Sequence, residues 1–170
     1  GSATVDTEND NDFDINDEND SISGIENVIG SNQKDVLTGD NNTNTLTGNA
    51  GDDTIIGGAG GDTLYGNAGD DTFRFTSATD ESRFDYIDGG SGTDFVSYSY
   101  IKDETQNVTI NLGLDYDGDG HAYNDADGDV DQYQNAGAAG NLFIKNVENL
   151  EGCAGNDTLI GNDERNELVG

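Results

Sequence analysis

The sequence predicts an all-β fold: a parallel coil of short strands, two strands to each circuit. Three observations predict it. A nine-residue period runs without interruption from Gly48 to Arg74. The first six residues of each unit are turn formers, and the last three suit a strand. The eighth residue is always large and apolar. The units are Gly48-Asn49-Ala50-Gly51-Asp52-Asp53-Thr54-Ile55-Ile56, Gly57-Gly58-Ala59-Gly60-Gly61-Asp62-Thr63-Leu64-Tyr65 and Gly66-Asn67-Ala68-Gly69-Asp70-Asp71-Thr72-Phe73-Arg74. Each has Gly first, Gly fourth and Asp sixth. Such a period marks units that bury an apolar face only against their neighbours.

Each element of the unit has a physical reason. Gly supplies positive φ in the turn without steric cost. A run such as Thr63-Leu64-Tyr65 suits a short strand with one side chain inward. Two nonads then make a circuit of 18 residues. Turns on one side stack at strand spacing, about 4.8 Å. Asp53 would lie over Asp71, and like charges that close repel unless a cation sits between them. Carboxylate and turn carbonyl oxygens at that spacing suit a hard cation, above all calcium. A flexible Gly/Asp-rich linker would not keep an apolar residue at every eighth position.

On these residues the chain resembles the RTX family of secreted bacterial proteins, whose repeat is Gly-Gly-x-Gly-x-Asp-x-apolar-x. The resemblance implies a right-handed parallel β-roll filled with several calcium ions, each between same-side turns. It implies sixth-position ligands: Asp35, Asp53, Asp62, Asp71, Asp85, Asp94 and Asp157, with Asn44 in the same place. It also implies carbonyl ligands from the turns: Gly48 and Ala50; Gly57, Gly58, Ala59 and Gly60; Gly66, Asn67, Ala68 and Gly69; Gly89, Gly90 and Gly92.

Composition fits a bound cation. The chain has 36 acidic and 6 basic residues among 170, a formal charge of −30. Hydrophobic residues make up 31%, a share that with this charge reads as disorder unless the acids are neutralised. The charge argues against nucleic acid and anionic membrane as partners. No apolar run is long enough to span a bilayer, and no signal peptide is evident. Gly1-Ser2 reads as a tag remnant and Gly170 opens a further nonad, so a segment of a larger parent chain is expected. Cys153, the single cysteine, has no internal partner and is expected as a free thiol.

Along the chain, residues 1–20 read as a solvated acidic linker, with Asp10, Asp12, Asp14 and Asp17 as loose cation ligands at most. A roll is expected over 21–97. Its first nonads are degenerate: Glu26 with Val28, Asp35 with Leu37, Asn44 with Leu46. Asn fills several glycine places, since it tolerates left-handed geometry. Two columns result, Asp35-Asp53-Asp71 and Glu26-Asn44-Asp62. The spacing predicts the strongest ions between Asp35 and Asp53 and between Asp53 and Asp71, with a weaker one at Asn44–Asp62. Residues 75–79 break the frame and read as a loop insertion. Asp85 with Ile87 and Asp94 with Val96 restore it, either in the same roll or in a short second one.

Residues 98–142 read as an inserted acidic strand and loop region. Val108, Ile110 and Leu112 alternate, which predicts a strand over 107–112. Asp115, Asp117 and Asp119 followed by Gly120 match the front half of an EF-hand-like calcium loop. Its twelfth position is Ala126 rather than Glu, so a solvated acidic loop is an equal reading. His121 is the only histidine and reads as a surface residue. Residues 143–170 return to the frame with Glu148/Leu150, Asp157/Leu159 and Asn166/Leu168. Ile25-Glu26-Asn27 also matches Val147-Glu148-Asn149. This points to a larger repeat, and leaves open whether 143–170 extends the first roll or begins a second.

Catalysis finds no support. There is no H-E-x-x-H, no G-x-S-x-G and no plausible triad. The acids fall on metal-ligand positions rather than as an isolated pair. The expected function is a calcium-binding structural and folding module of a secreted, extracellular or cell-surface protein exported by type I secretion. Two alternatives are weighed. A carbohydrate-binding accessory similar to the R-modules of mannuronan C5-epimerases would have to take a neutral glycan, since Lys34, Arg74 and Arg83 are the only cations near the roll. A repeat unit of an adhesin or S-layer protein fits equally well. Ice binding is set aside, because third-position Asn32, Asn41, Ala50, Ala59 and Ala68 do not form a Thr/Asn array.

Overall fold

The eighth-position residues build the interior. In the computed structural model, which describes residues 25–76, 84–112, 134–135 and 141–170, Leu37, Leu46, Ile55, Leu64, Phe73, Ile87, Val96 and Leu150 are all buried. From Leu37 to Val96 they alternate along the chain between two sheets, and Leu150 pairs beside Val96 in one of them. In the central strands the residues on either side of each point outward and are mostly half-buried. Fully burying one such side chain is worth about 1.5–3 kcal/mol.

The strands in chain order are β1 (Asn27–Ile29), β2 (Val36–Thr38), β3 (Thr45–Ala50), β4 (Thr54–Ile56), β5 (Thr63–Ala68), β6 (Thr72–Arg74), β7 (Phe84–Ser91) and β8 (Phe95–Ser97). There follow β9 (Thr109–Asn111), β10 (Gln134–Asn135), β11 (Asn141–Lys145), β12 (Asn149–Glu151), β13 (Thr158–Ile160) and β14 (Leu168–Val169). One sheet runs β1-β3-β5-β7-β11-β10 and the other β14-β12-β8-β6-β4-β2, with β13-β9 as a separate pair. Among the described residues there is no helix, so none is long and apolar enough to cross a membrane. This is the all-β parallel β-roll of the sequence reading.

Successive circuits sit one 18-residue period apart. Thr45 pairs with Thr63 and Leu46 with Leu64, in parallel. Across the insertion Thr63 pairs with Tyr86 instead, a spacing of 23 residues, so the roll continues as one body and absorbs five extra residues. The frame breaks later than residue 75. Phe75 donates its N–H to the Ser97 carbonyl at 2.9 Å, is buried and stacks on Tyr98 with ring centroids 4.7 Å apart. The nonad frame passes over Phe75 because it counts only the eighth position, whereas the chain at β6 buries a second side chain two residues on.

Beyond β8 the chain leaves the coil and comes back. β11 pairs in parallel with β7, β12 with β8 and β14 with β12. The end of the chain therefore adds strands to the same two sheets. β9 lies inside the strand expected over 107–112 and pairs in parallel with β13. The β10–β11 pair is antiparallel, the one departure from parallel pairing among the described residues. The acidic linker 1–20 and the loop holding Asp115, Asp117, Asp119 and His121 lie outside the described residues.

Candidate metal centre

The sixth-position acids are buried, in a chain with only 6 basic residues to set against 36 acidic ones. Asp35, Asp53, Asp62, Asp71, Asp85 and Asp94 are each 1% exposed. Their Oδ1 atoms hold the ladder together. Asp53 Oδ1 accepts the Asp35 N–H at 2.8 Å, Asp71 Oδ1 that of Asp53 at 2.8 Å, and Asp94 Oδ1 that of Asp71 at 2.9 Å. In the second column Asp62 Oδ1 takes the Asn44 N–H and Asp85 Oδ1 that of Asp62. Each carboxylate thus caps the equivalent residue one circuit back. The columns read from the sequence extend to Asp94 and Asp85. The second ends where Leu142 stands opposite Asp85, an apolar residue in the acid's place.

The Oδ2 atoms carry the chemical information. Those of Asp53, Asp71, Asp94 and Asp157 are buried without a hydrogen-bond partner. An ionised oxygen left so is costly, and calls for an explanation such as an ion. Each points over the first glycine of its own turn. A Cβ on Gly48 would overlap Asp53 Oδ2 and lie 3.0 Å from the Gly66 carbonyl. One on Gly66 would overlap Asp71 Oδ2 and lie 2.5 Å from the Gly89 carbonyl. A carboxylate oxygen and a carbonyl oxygen from the next circuit therefore converge where any other residue would put a methyl group. Gly57 is covered by the Asp62 carboxylate and Gly152 by that of Asp157, in both cases without a carbonyl oxygen as close.

Turn geometry sets this up. The second and fourth positions take positive φ: Asn49 at 84° and Gly51 at 119°, Asn67 at 76° and Gly69 at 138°. Asn at the second position is tolerated there because its short polar side chain bonds locally, and Asn49 Nδ2 donates to the Gly30 carbonyl at 2.7 Å. Gly58, Gly60, Gly90 and Gly92 adopt the same sign. The third-position carbonyl of Ala68 accepts the Gly51 N–H at 2.9 Å and keeps one lone pair for a ligand. Ala59 donates its N–H to the Asp40 carbonyl. Ala50 pairs with Ala68 across β3 and β5.

The electrostatics agree with a missing positive charge. Burial, with the charges of Asp71, Asp35 and Asp52 adding, pushes Asp53 up to about 6 against the Asp35 N–H. Burial pushes Asp94 up to about 7, opposed by the Asp71 N–H and helped by Asp71, Glu148 and Asp70. Asp71 is raised too, chiefly by burial. Among the described residues no three acidic, histidine or cysteine side chains gather at one point. A cation here would take one or two carboxylates and complete its shell from carbonyls, a donor set of hard oxygens that suits calcium.

Two turns of the expected set bring the same pair of oxygens together over Gly30 and Gly39 but add a donor. Asp35 Oδ2 accepts the Ser31 N–H at 2.6 Å, and Asn44 Oδ1 the Asp40 N–H at 2.8 Å. Their sixth-position oxygens are satisfied inside their own turns. Asp157 stands apart from both columns: its Oδ1 accepts the Val108 N–H at 3.0 Å. Free Cys153 donates its thiol to that same oxygen and to the Gln106 carbonyl, both at 3.1 Å, and burial pushes the thiol pKa up. Sequence reasoning did not place Asn146 beside this chemistry. Its carbonyl meets Gly89, and with Lys145 and Val147 around it no glycine marks the turn.

No curated protein matches the chain significantly. The family model of the RTX calcium-binding nonapeptide repeat, the hemolysin-type repeat, matches it four times, over residues 20–55, 38–73, 81–98 and 147–170. The ladder of buried acids over glycine turns is the arrangement such a repeat has to build, and the chain belongs to the RTX calcium-binding nonapeptide-repeat family.

Proposed function

We propose that this calcium-binding repeat module is a folding and stiffening unit of an exported protein, unfolded without calcium and rigid with it. The observation that carries the reading is the set of buried Oδ2 atoms on Asp53, Asp71 and Asp94, each over a glycine and facing a carbonyl of the next circuit. A chain of formal charge −30 that buries acids in columns needs several divalent ions to do so. Binding and folding are then one equilibrium. Type I export suits such a chain: low cytosolic calcium leaves it unfolded for passage, and calcium outside folds it. The module acts in binding and architecture rather than catalysis, as one stiff unit of a longer surface or secreted chain. A neutral glycan, if one binds, would stack on the Tyr65–Tyr86 pair of the outward face.

Among the ions, we rank those at Asp53–Asp71 and Asp71–Asp94 above the one at Asp35–Asp53, because Asp35 Oδ2 is already satisfied by Ser31. The test is a calcium titration of the chelated chain followed by circular dichroism and calorimetry. The expected result is a cooperative gain of β signal with several ions bound, and a weaker response to magnesium, which demands tighter octahedral geometry. A compact, β-rich chain in excess chelator at about pH 7.5, where the buried acids are ionised, contradicts the proposal.

A further inference from the structure

The long excursion between Asp94 and Glu148 closes at a turn unlike the others. β11 lies beside β7 with Lys145 opposite Asp88, which brings Asn146 next to Gly89. From Gly89 the chain takes five residues to reach Asp94; from Asn146 it takes two to reach Glu148. The backbone is back in register at Glu148, whose N–H lies 3.2 Å from the Asp94 carbonyl, and its Oε2 accepts the Asp94 N–H at 2.7 Å. Asn146 itself takes a φ of 52°, and its Nδ2 donates to Asp88 Oδ1 at 2.8 Å.

Opposite this short turn stands Asp94, 1% exposed, with Oδ2 buried and without a hydrogen-bond partner. A Cβ on Gly89 would lie 2.5 Å from that oxygen and would overlap the Asn146 carbonyl. The two oxygens therefore meet over one α-carbon, beside the Glu148 carboxylate. Lys145, the cation of this turn, is engaged elsewhere, with Asp88 Oδ2 at 3.2 Å. We propose that a calcium ion binds here, between Asp94 and the Asn146–Glu148 turn, and fastens the returning segment 141–170 to the roll. The stretch Phe143-Ile144-Lys145-Asn146-Val147-Glu148 keeps the sixth-position acid and lacks the turn glycines, so one side of this site is not a strong nonad. The inference rests on the calcium reading above and extends it, since this ion joins two parts of the roll separated by 54 residues.

Two variants of the full chain test it, Glu148→Gln and Asp94→Asn. Each removes charge and keeps an acceptor for the N–H it caps. Bound calcium per chain is measured by titration calorimetry, and amide exchange is followed by mass spectrometry in calcium. Each variant is expected to fold, to bind one ion fewer, and to lose protection in β12 and β14 by at least about tenfold while β4 and β6 keep theirs. An undiminished ion number with wild-type protection in Glu148→Gln overturns the site; this variant decides if Asp94→Asn fails to fold. One ion fewer with β12 and β14 still protected overturns the fastening. A wild-type chain that binds no calcium overturns instead the functional reading beneath both.

Discussion

The lead-in turns ending at Asp35 and Asn44 and the strong turns ending at Asp53 and Asp71 share one ladder and one core, yet treat their sixth residue in opposite ways. All four donate a backbone N–H to an acid one circuit on. All four precede a buried apolar residue: Leu37, Leu46, Ile55 and Phe73. In the lead-in turns the second residue's own N–H satisfies the sixth side chain: Ser31 bonds Asp35, and Asp40 bonds Asn44. Neither Ser31 nor Asp40 takes positive φ, whereas Asn49 and Asn67 do. With φ reversed at the second and fourth positions, Asp53 and Asp71 are left with a buried oxygen and no donor. A degenerate repeat is thus a turn that completes itself, and a strong repeat is one that leaves a buried carboxylate oxygen without a donor.

The largest expected contrast is between Asp53→Ala and Asp35→Ala. The first strips the acceptor from the Asp35 N–H, at about 1–3 kcal/mol for an unsatisfied buried group, and also removes a ligand. Its calcium midpoint for folding should rise several-fold, since about 1.4 kcal/mol is tenfold when one ion is bound and the shift is shared when several ions bind in one transition. Asp35→Ala should raise the midpoint less. Equal midpoints, read by circular dichroism, would break the distinction.

Next comes a pair of substitutions, comparable in cost, between which no contrast is expected. Leu37→Ala and Leu64→Ala each empty a buried eighth position, and each should cost about 2–5 kcal/mol. Denaturant melts in saturating calcium check this. A cost confined to Leu64 would mean that the lead-in circuits do not share the core.

A smaller effect is expected from pH in the absence of calcium. Asp53 and Asp94 have folded-state values of about 6 and about 7, above the usual carboxylate near 3.9. The folded chain then binds more protons than the unfolded one between roughly pH 4 and 7, so stability falls as pH rises through that window and is regained on acidification. The chelated chain should gain β signal between about pH 7.5 and about pH 5, and calcium affinity should fall over the same interval. A chelated chain with flat circular dichroism across it would contradict the sign.

The smallest change is a conversion. Asn44→Asp combined with Asp40→Gly and Asn42→Gly removes the side chain that holds the Asn42 N–H, and lets the second and fourth positions take positive φ, which turns the residue-40 N–H away from residue 44. The folded chain should then bind one more ion by calorimetry, and an unchanged ion number would show that glycine spacing is not what sets the demand.

Much of this was legible in the sequence, because the period fixes both the side that an acid projects from and the residue that enters the core. The 18-residue columns, the buried eighth positions and the resumption at Asp85 and Asp94 follow from spacing alone. What spacing does not report is where hydrogen bonds go. Asp35 and Asp53 look alike in the frame, and only the φ of the preceding residues separates them. Phe75 is buried by the strand alternation that follows β6, which the nonad frame hides. Asn146 and Glu148 form a turn three residues shorter than the one between Gly89 and Asp94, and no glycine announces it. The pairing of Asp157 with Val108 joins residues far apart in the chain, beyond the reach of a local period.

The central claim is tested most directly by a crystal structure grown in calcium, with ions located by anomalous scattering. An ion is expected about 2.3–2.6 Å from Oδ2 of Asp53, Asp71 and Asp94, with Asp35 Oδ2 still bonded to Ser31. Ordered density showing those three oxygens bonded to water or protein donors, and ions only on the exposed acids, would contradict it.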